Sequence, residues 1–229
     1  MTNEVESMES IEKRLQANID RQRTATAAMR TTGIYASFKN ARFKIDGQDI
    51  PNNKANVRIL AAIGERAYYE GAFDADKAQV PNCYSLDSDE PHDSAADPQS
   101  ATCADCQWNK WGTALDSQGK PAKGKKCREG ARVIFVAANL PVDKAPMITA
   151  KIPITSLKAV TNLTARCSDA GKLTGEFVTE MSVTEDKKSF FKVHLELKEV
   201  SPNMDKIALL NAQEKAYQLA MEPYPSLDN

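Results

Sequence analysis

Residues 81–130 read PNCYSLDSDEPHDSAADPQSATCADCQWNKWGTALDSQGKPAKGKKCREG, and this stretch decides what kind of chain this is. Four of the five cysteines lie in it: Cys83, Cys103, Cys106 and Cys127, spaced Cys-x19-Cys-x2-Cys-x20-Cys. A Cys-x2-Cys turn brings two thiolates to one tetrahedral ion, and two cysteines from flanking loops close a structural site. The wider segment, about Gly71 to Gly130, fits neither a strand period nor a helix period. A loop of that length inside a compact domain is uncommon unless it is functional or separately stabilised. It is also poor in apolar residues, so zinc would supply the folding energy that a small core cannot. One zinc on Cys83, Cys103, Cys106 and Cys127 is therefore expected. Two alternatives stay open: His92 replaces one cysteine, or no metal binds and Cys103 and Cys106 form a redox pair. The βαβ context of a thioredoxin-like motif is missing for the second. A closed four-cysteine site leaves no open coordination position, which speaks against zinc catalysis. Cys167 lies far off and reads as a small core or loop residue.

Charge divides the same segment. Asp87, Asp89, Glu90, Asp93, Asp97 and Asp105 fill its first half, and Lys110, Lys120, Lys123, Lys125, Lys126, Arg128 and Arg132 dominate its second half and exit. Trp108 and Trp111, the only tryptophans, sit beside that basic run, and Tyr68, Tyr69, Phe73 and Tyr84 lie near the segment's start. Cations beside aromatic faces suit single-stranded nucleic acid: the cations follow phosphates and bases stack on rings. The competing reading packs the aromatics between module and body and leaves the lysines as a solvated loop. Gly119, Gly124 and Lys125 have phosphate-loop spacing, but Lys126 stands where Ser or Thr belongs, and no strand leads in.

Working outward, short apolar runs predict strands. They cover Ala41–Ile45 with an Asp46-Gly47 turn, Asn56–Gly64, Arg132–Ala138, Ile148–Ile154, Gly175–Thr184, and Phe191 to Leu197. Residues 185–189 join the last two as a hairpin. Met8, Ile11, Leu15 and Ile19 predict an N-terminal amphipathic helix over residues 1–33. Ser201-Pro202 predicts the start of a C-terminal helix, about 202–221, with Ile207, Leu210, Tyr217 and Met221 on its apolar stripe. His194 falls on the polar side of its strand. The expected fold is α+β and mainly β: an OB-like small barrel over 34–229 with a zinc-stapled insertion at about 71–130 and a helix near each terminus.

The chain has 229 residues, 30 Lys plus Arg and 31 Asp plus Glu, hence a formal charge of −1. That excludes a generally basic DNA-coating protein but not a local basic patch. No apolar run approaches the ~20 residues of a membrane helix, and the acidic start is no signal peptide. A cytoplasmic protein with reduced cysteines is expected.

Several motifs are similar to one family. Tyr68-Tyr69, Pro81 to Asp87, Cys103-Ala104-Asp105-Cys106, Trp111-Gly112 and Lys123 to Arg128 resemble bacteriophage single-stranded DNA-binding proteins with an OB-type barrel and a cysteine-rich zinc insertion. The likeness covers roughly Tyr68 to Val136. It implies a replication or recombination protein, not an enzyme, that coats single-stranded DNA in the host cytoplasm. Its four cysteines carry over as zinc ligands. The nucleic-acid contacts expected from charge and aromaticity are Tyr68, Tyr69, Trp108, Lys110, Trp111, Lys123, Lys125, Lys126, Arg128 and Arg132. The chain ends with only Glu222 and Asp228 as acids near its terminus, which departs from the acidic tail common in phage single-strand binders. A second expectation is a zinc-stapled adaptor for a replication or recombination protein, such as a polymerase or recombinase.

Overall fold

The computed structural model describes residues 13–18, 33–71, 80–116, 118–201 and 204–224. The chain divides into two units, Met1–Gly33 and Ile34–Asn229. In the first, residues 13–18 are helical; the rest of the expected amphipathic helix lies outside the described residues.

The second unit is mainly β. Its strands are β1 (Ile34–Ser37), β2 (Lys44–Ile45), β3 (Gln48–Asp49), β4 (Lys54–Tyr68), β5 (Cys83–Ser85), β6 (Ala114–Leu115), β7 (Pro121–Ala122), β8 (Arg128–Ala137), β9 (Ile148–Pro153), β10 (Phe177–Asp186) and β11 (Phe190–Val200). Two helices, α1 (Leu157–Asp169) and α2 (Lys206–Ala220), complete it. Nine strands form one curled sheet, ordered β11-β10-β4-β8-β9-β1-β2-β3, with β5 on β4; β6 and β7 form a separate hairpin. All pairings are antiparallel except β1 with β9. The α+β, mainly β class thus holds.

β4 and β8 read as nearly continuous apolar runs because both faces of their pairing are covered. Val57, Ile59, Val133 and Phe135 face one core, closed by Val160, Leu163 and Cys167 of α1. Leu60, Ala61, Ile134 and Val136 face a second core under Leu209, Ala212, Ala216 and Ala220 of α2. The β4–β8 register slips between Ile59 and Ala61, so Leu60 is an extra residue. Such a bulge frees carbonyls from the ladder. Thr174 Oγ1 donates to the Ile59 carbonyl at 2.8 Å, and Gln213 Nε2 to the Leu60 carbonyl at 3.2 Å.

Three expectations change here. The stripe Ile207, Leu210, Tyr217 and Met221 does not face the core: these side chains are 74%, 54%, 48% and 44% exposed. The opposite face, rich in alanine, is buried because its small side chains let α2 lie close against β4 and β8. The helix also starts later than Ser201-Pro202. Asp205 caps it, accepting from the Ile207 and Ala208 amides at 3.0 Å each. Ser201 Oγ instead accepts from Arg58 Nη2 at 2.6 Å. The Ala41–Ile45 run shrinks to β2, but Asp46 and Gly47 do make the tight turn, both at positive φ.

Candidate metal centre and basic aromatic surface

The module between β4 and β8 is built outward from the end of one strand. Tyr68 of β4 pairs with Cys83 of β5 on one side. Ala67 pairs with Arg128 of β8 on the other, which places Cys127 beside the same strand end. The Cys103–Cys106 turn is tied in by three bonds. The Cys103 amide donates to the Asp89 carbonyl at 2.7 Å, Asn109 Nδ2 to the Cys103 carbonyl at 2.7 Å, and the Cys127 amide to the Trp108 carbonyl at 3.0 Å. Two sequence-distant cysteines and one local pair therefore converge.

All four line one cavity of about 20 Å³, together with Arg66, Tyr68, Tyr84, Ser85, Gln99 and Thr102. That space matches a single small ion or water. All five cysteines are free thiols. Among the described residues, no three His, Cys, Asp or Glu side chains already stand at ligand distance from a common point. An ion would therefore have to draw the thiols inward across the cavity. The donor set itself, four sulfurs without water or carboxylate, suits zinc. His92 does not line the cavity. Its ring stacks on Tyr84 at 5.1 Å, and its Nδ1 accepts from the Ser94 amide at 3.1 Å. Burial pushes the Cys83 and Cys103 thiols up, and burial with neighbouring cysteines pushes Cys127 up to about 12. Without a metal these three are protonated at neutral pH; a bound cation would deprotonate them. Cys167 is 1% exposed on α1 and belongs to the main core.

Around the cysteines, side chains replace the missing ladder. Arg66 Nη1 bonds Asn109 Oδ1 at 2.7 Å and Glu129 Oε1 at 2.6 Å, and its Nε donates to the Ser88 carbonyl at 3.1 Å. Burial works to raise the Glu129 carboxyl, but Lys125 and Arg66 outweigh it and hold it below its ordinary value. The acidic half supplies turn acceptors: Asp87 Oδ1 takes the Asp89 and Glu90 amides, and Asp116 Oδ1 those of Gln118 and Lys120. Arg66, Asn109 and Glu129 are site residues beyond those the sequence singles out. Arg66 and Glu129 have one signal, a charge near the end of a strand; Asn109, uncharged and outside the strands, has none.

The ten expected nucleic-acid residues separate into three groups. Tyr68 and Trp108 are structural: their rings stack at 5.3 Å, Trp108 Nε1 donates to Gln99 Oε1 at 2.8 Å, and Lys126 Nζ lies 5.2 and 5.0 Å over the two rings. Arg132 is 6% exposed and is consumed inside the protein. Its Nε meets Glu65 Oε2 at 2.8 Å, and its Nη1 donates to the Ala220 and Glu222 carbonyls. Glu65 also accepts from Tyr224 Oη at 2.6 Å, pinning the chain after α2. Tyr69, Lys125, Lys126 and Arg128 form the second group; with Leu115 and Asp116 they line one groove of about 340 Å³. Lys125 Nζ is partly spent on Glu129 at 2.7 Å.

Lys110, Trp111 and Lys123 form the third group and are exposed. The Trp111 ring is 76% exposed on a turn with fixed anchors. The Gly112 amide donates to the Gly124 carbonyl at 2.7 Å, Thr113 Oγ1 donates to the Lys110 carbonyl at 2.7 Å, and the Lys126 amide donates to Thr113 Oγ1 at 3.0 Å. Phe73 lies outside the described residues. Gly119 and Gly124 belong to the β6–β7 hairpin region, with no helix following, so the phosphate-loop spacing has no structural counterpart. Among the described residues, no helix is long and apolar enough to cross a membrane. No protein-family model matches the chain, and no curated protein or solved structure matches it.

Proposed function

We propose that the protein binds single-stranded DNA without sequence specificity, through the module's basic aromatic surface. The observation that carries this reading is Trp111. A large apolar ring, 76% exposed, is held on an anchored turn between Lys110 and the segment bearing Lys123 and Lys125. A preordered ring loses little entropy when a base stacks on it. Tyr69, Lys125, Lys126 and Arg128 in the adjoining groove extend the contact. Zinc on Cys83, Cys103, Cys106 and Cys127 holds the turn rigid and does no chemistry, so the protein is not an enzyme. The OB-type reading of the curled sheet, and a role in phage replication or recombination in the host cytoplasm, belong to the same proposal through the motif likeness.

Titration with single-stranded oligonucleotide tests it. Tryptophan fluorescence is quenched on binding, and affinity falls steeply as salt rises, because phosphate neutralisation releases counterions. Absence of binding at low salt overturns the reading. One observation favours a second reading, a zinc-stapled adaptor for a replication or recombination protein. The stripe Ile207, Leu210, Tyr217 and Met221 on α2 is apolar and exposed, as protein-docking helices are. That reading predicts protein association, weakened by Leu210→Glu, with no oligonucleotide binding.

A further inference from the structure

The β10–β11 hairpin ends in Asp186-Lys187-Lys188-Ser189-Phe190, with Asp186 paired to Phe190. Asp186 Oδ1 accepts from the Lys188 amide at 3.0 Å and from the Ser189 amide and hydroxyl at 2.8 Å each. Lys192 Nζ stands 3.1 Å from the same carboxylate. The tip is thus a fixed turn.

Phe190 closes it with φ +67. In three-residue hairpin loops the left-handed position after the turn is glycine's place, since a Cβ is crowded there. Here it holds a phenylalanine whose ring is 85% exposed, the most exposed large apolar side chain among the described residues. Phe191 next to it turns inward onto the main core. Lys187 and Lys188 are exposed on the loop, and neither has a hydrogen-bond or ion-pair partner for its ammonium group among the described residues. A strained backbone that presents an unpacked ring on the same turn as two exposed, unpaired cations is poorly suited to folding and well suited to binding.

We propose that this tip is a second stacking contact for single-stranded nucleic acid, remote from Trp111. The inference rests on the single-strand reading above and adds to it a second point of engagement and a minimum strand length. Ser182 of β10 pairs with Lys54 at the start of β4, whereas Cys83 pairs with Tyr68 at its end. Lys54 and Tyr68 stand 14 residues apart, about 46 Å measured along the strand at about 3.3 Å per residue, and the tip continues past Ser182 beyond the Lys54 end. At the stacked-duplex rise of ~3.4 Å per nucleotide, a 6-mer covers about 20 Å and a 30-mer about 100 Å. The longer one spans the length of β4 and the shorter does not.

The experiment compares wild type and Phe190→Gly on a 6-mer and a 30-mer of thymidine. Glycine suits the turn, so the variant melts no earlier than wild type. The expected result is a 30-mer affinity about 5- to 150-fold lower, the range of one lost base–aromatic stack, with 6-mer affinity unchanged. Lys187→Ala with Lys188→Ala flattens the 30-mer salt slope by about 1.4, two phosphates at ~0.7 each. If wild type binds both oligonucleotides and Phe190→Gly binds them equally well, the tip is no contact, and the Trp111 reading survives alone. If the variant weakens 6-mer and 30-mer alike, the tip belongs to one compact site and the remote contact is refuted. If wild type binds neither, the single-strand reading itself fails and this inference with it.

Discussion

β4 serves two regions held together by different physics. Its first half is sandwiched between two apolar cores that hold 18 and 10 buried residues among the described ones, from Phe38 to Ala220. Its last residues carry a module whose own apolar cluster is Tyr84, Leu86 and Ala95, with Ile63 and Tyr224 packed against it. In the first region, removing apolar area from water is enough. In the second, four thiols around a small cavity, the Arg66–Asn109–Glu129 network and carboxylate-capped turns must do the same work. The body is therefore expected to be indifferent to metal and the module dependent on it.

The largest effect follows from that contrast. Structural zinc sites contribute about 10–16 kcal/mol of apparent binding energy at neutral pH. Chelation, or Cys106→Ser, is expected to open residues 80–127 to protease while amides of Val133 to Val136 stay protected from hydrogen exchange. Loss of protection in both regions together would erase the contrast; an unchanged protease pattern in metal-free protein would dismiss the zinc. The reciprocal change is Phe135→Ala, whose ring is 0% exposed. It is expected to cost about 3–5 kcal/mol of global stability with metal content unaltered.

The two tryptophans sharpen the comparison at smaller magnitude. Trp108 is half-buried on Tyr68 under Lys126, so Trp108→Ala is expected to loosen the module by about 2 kcal/mol, below the ~3–5 of a fully buried ring. Trp111→Ala is expected to leave stability within about 0.5 kcal/mol and to weaken oligonucleotide binding by about 1–3 kcal/mol. Melting and affinity measured on both variants separate the roles. Equal effects on both observables would collapse the distinction between packing ring and platform.

What could be read from the sequence followed the same divide. Strands with a clean period of two were legible: Phe177, Thr179, Met181 and Val183 do point into one core. The cysteine spacing pointed to one metal site; the four cysteines do line one cavity, while among the described residues no group of three or more ligands stands ready to hold an ion. Helices were read less well, because apolarity alone does not choose the buried face. On α2 the stripe Ile207, Leu210, Tyr217 and Met221 lies outside, since a face of Leu209 and three alanines allows closer approach to the bulged strand. α1 leaves little trace in the sequence: its stripe is only Val160, Leu163 and Cys167, set among Thr, Asn and Ser with weak helix propensity. Nor can a sequence show which cation is already spent. Arg132 and Lys110 look alike in one dimension, and only the fold puts Glu65 beside the first.

The smallest effect concerns the body alone and has the opposite sign. Thr179 is 0% exposed on the core face of β10, and among the described residues its Oγ1 has no hydrogen-bond partner. Its neighbours on that face are Phe177, Met181 and Val183, all apolar. An unsatisfied buried hydroxyl costs about 1–3 kcal/mol, whereas an apolar group of the same shape in its place has no such cost. Valine has nearly that shape, keeps the β-branch that suits a strand, and fills the same space. Thr179→Val is therefore expected to raise stability by about 1 kcal/mol, seen as a higher denaturation midpoint with an unchanged slope. Because β10 lies on the far side of β4 from β8 and none of its residues lines the four-cysteine cavity, zinc content and oligonucleotide affinity should stay as they are. A lower midpoint would mean that the hydroxyl does useful bonding in the core. A midpoint gain accompanied by altered metal binding would mean that body and module are coupled through β4 more tightly than their separate cores imply.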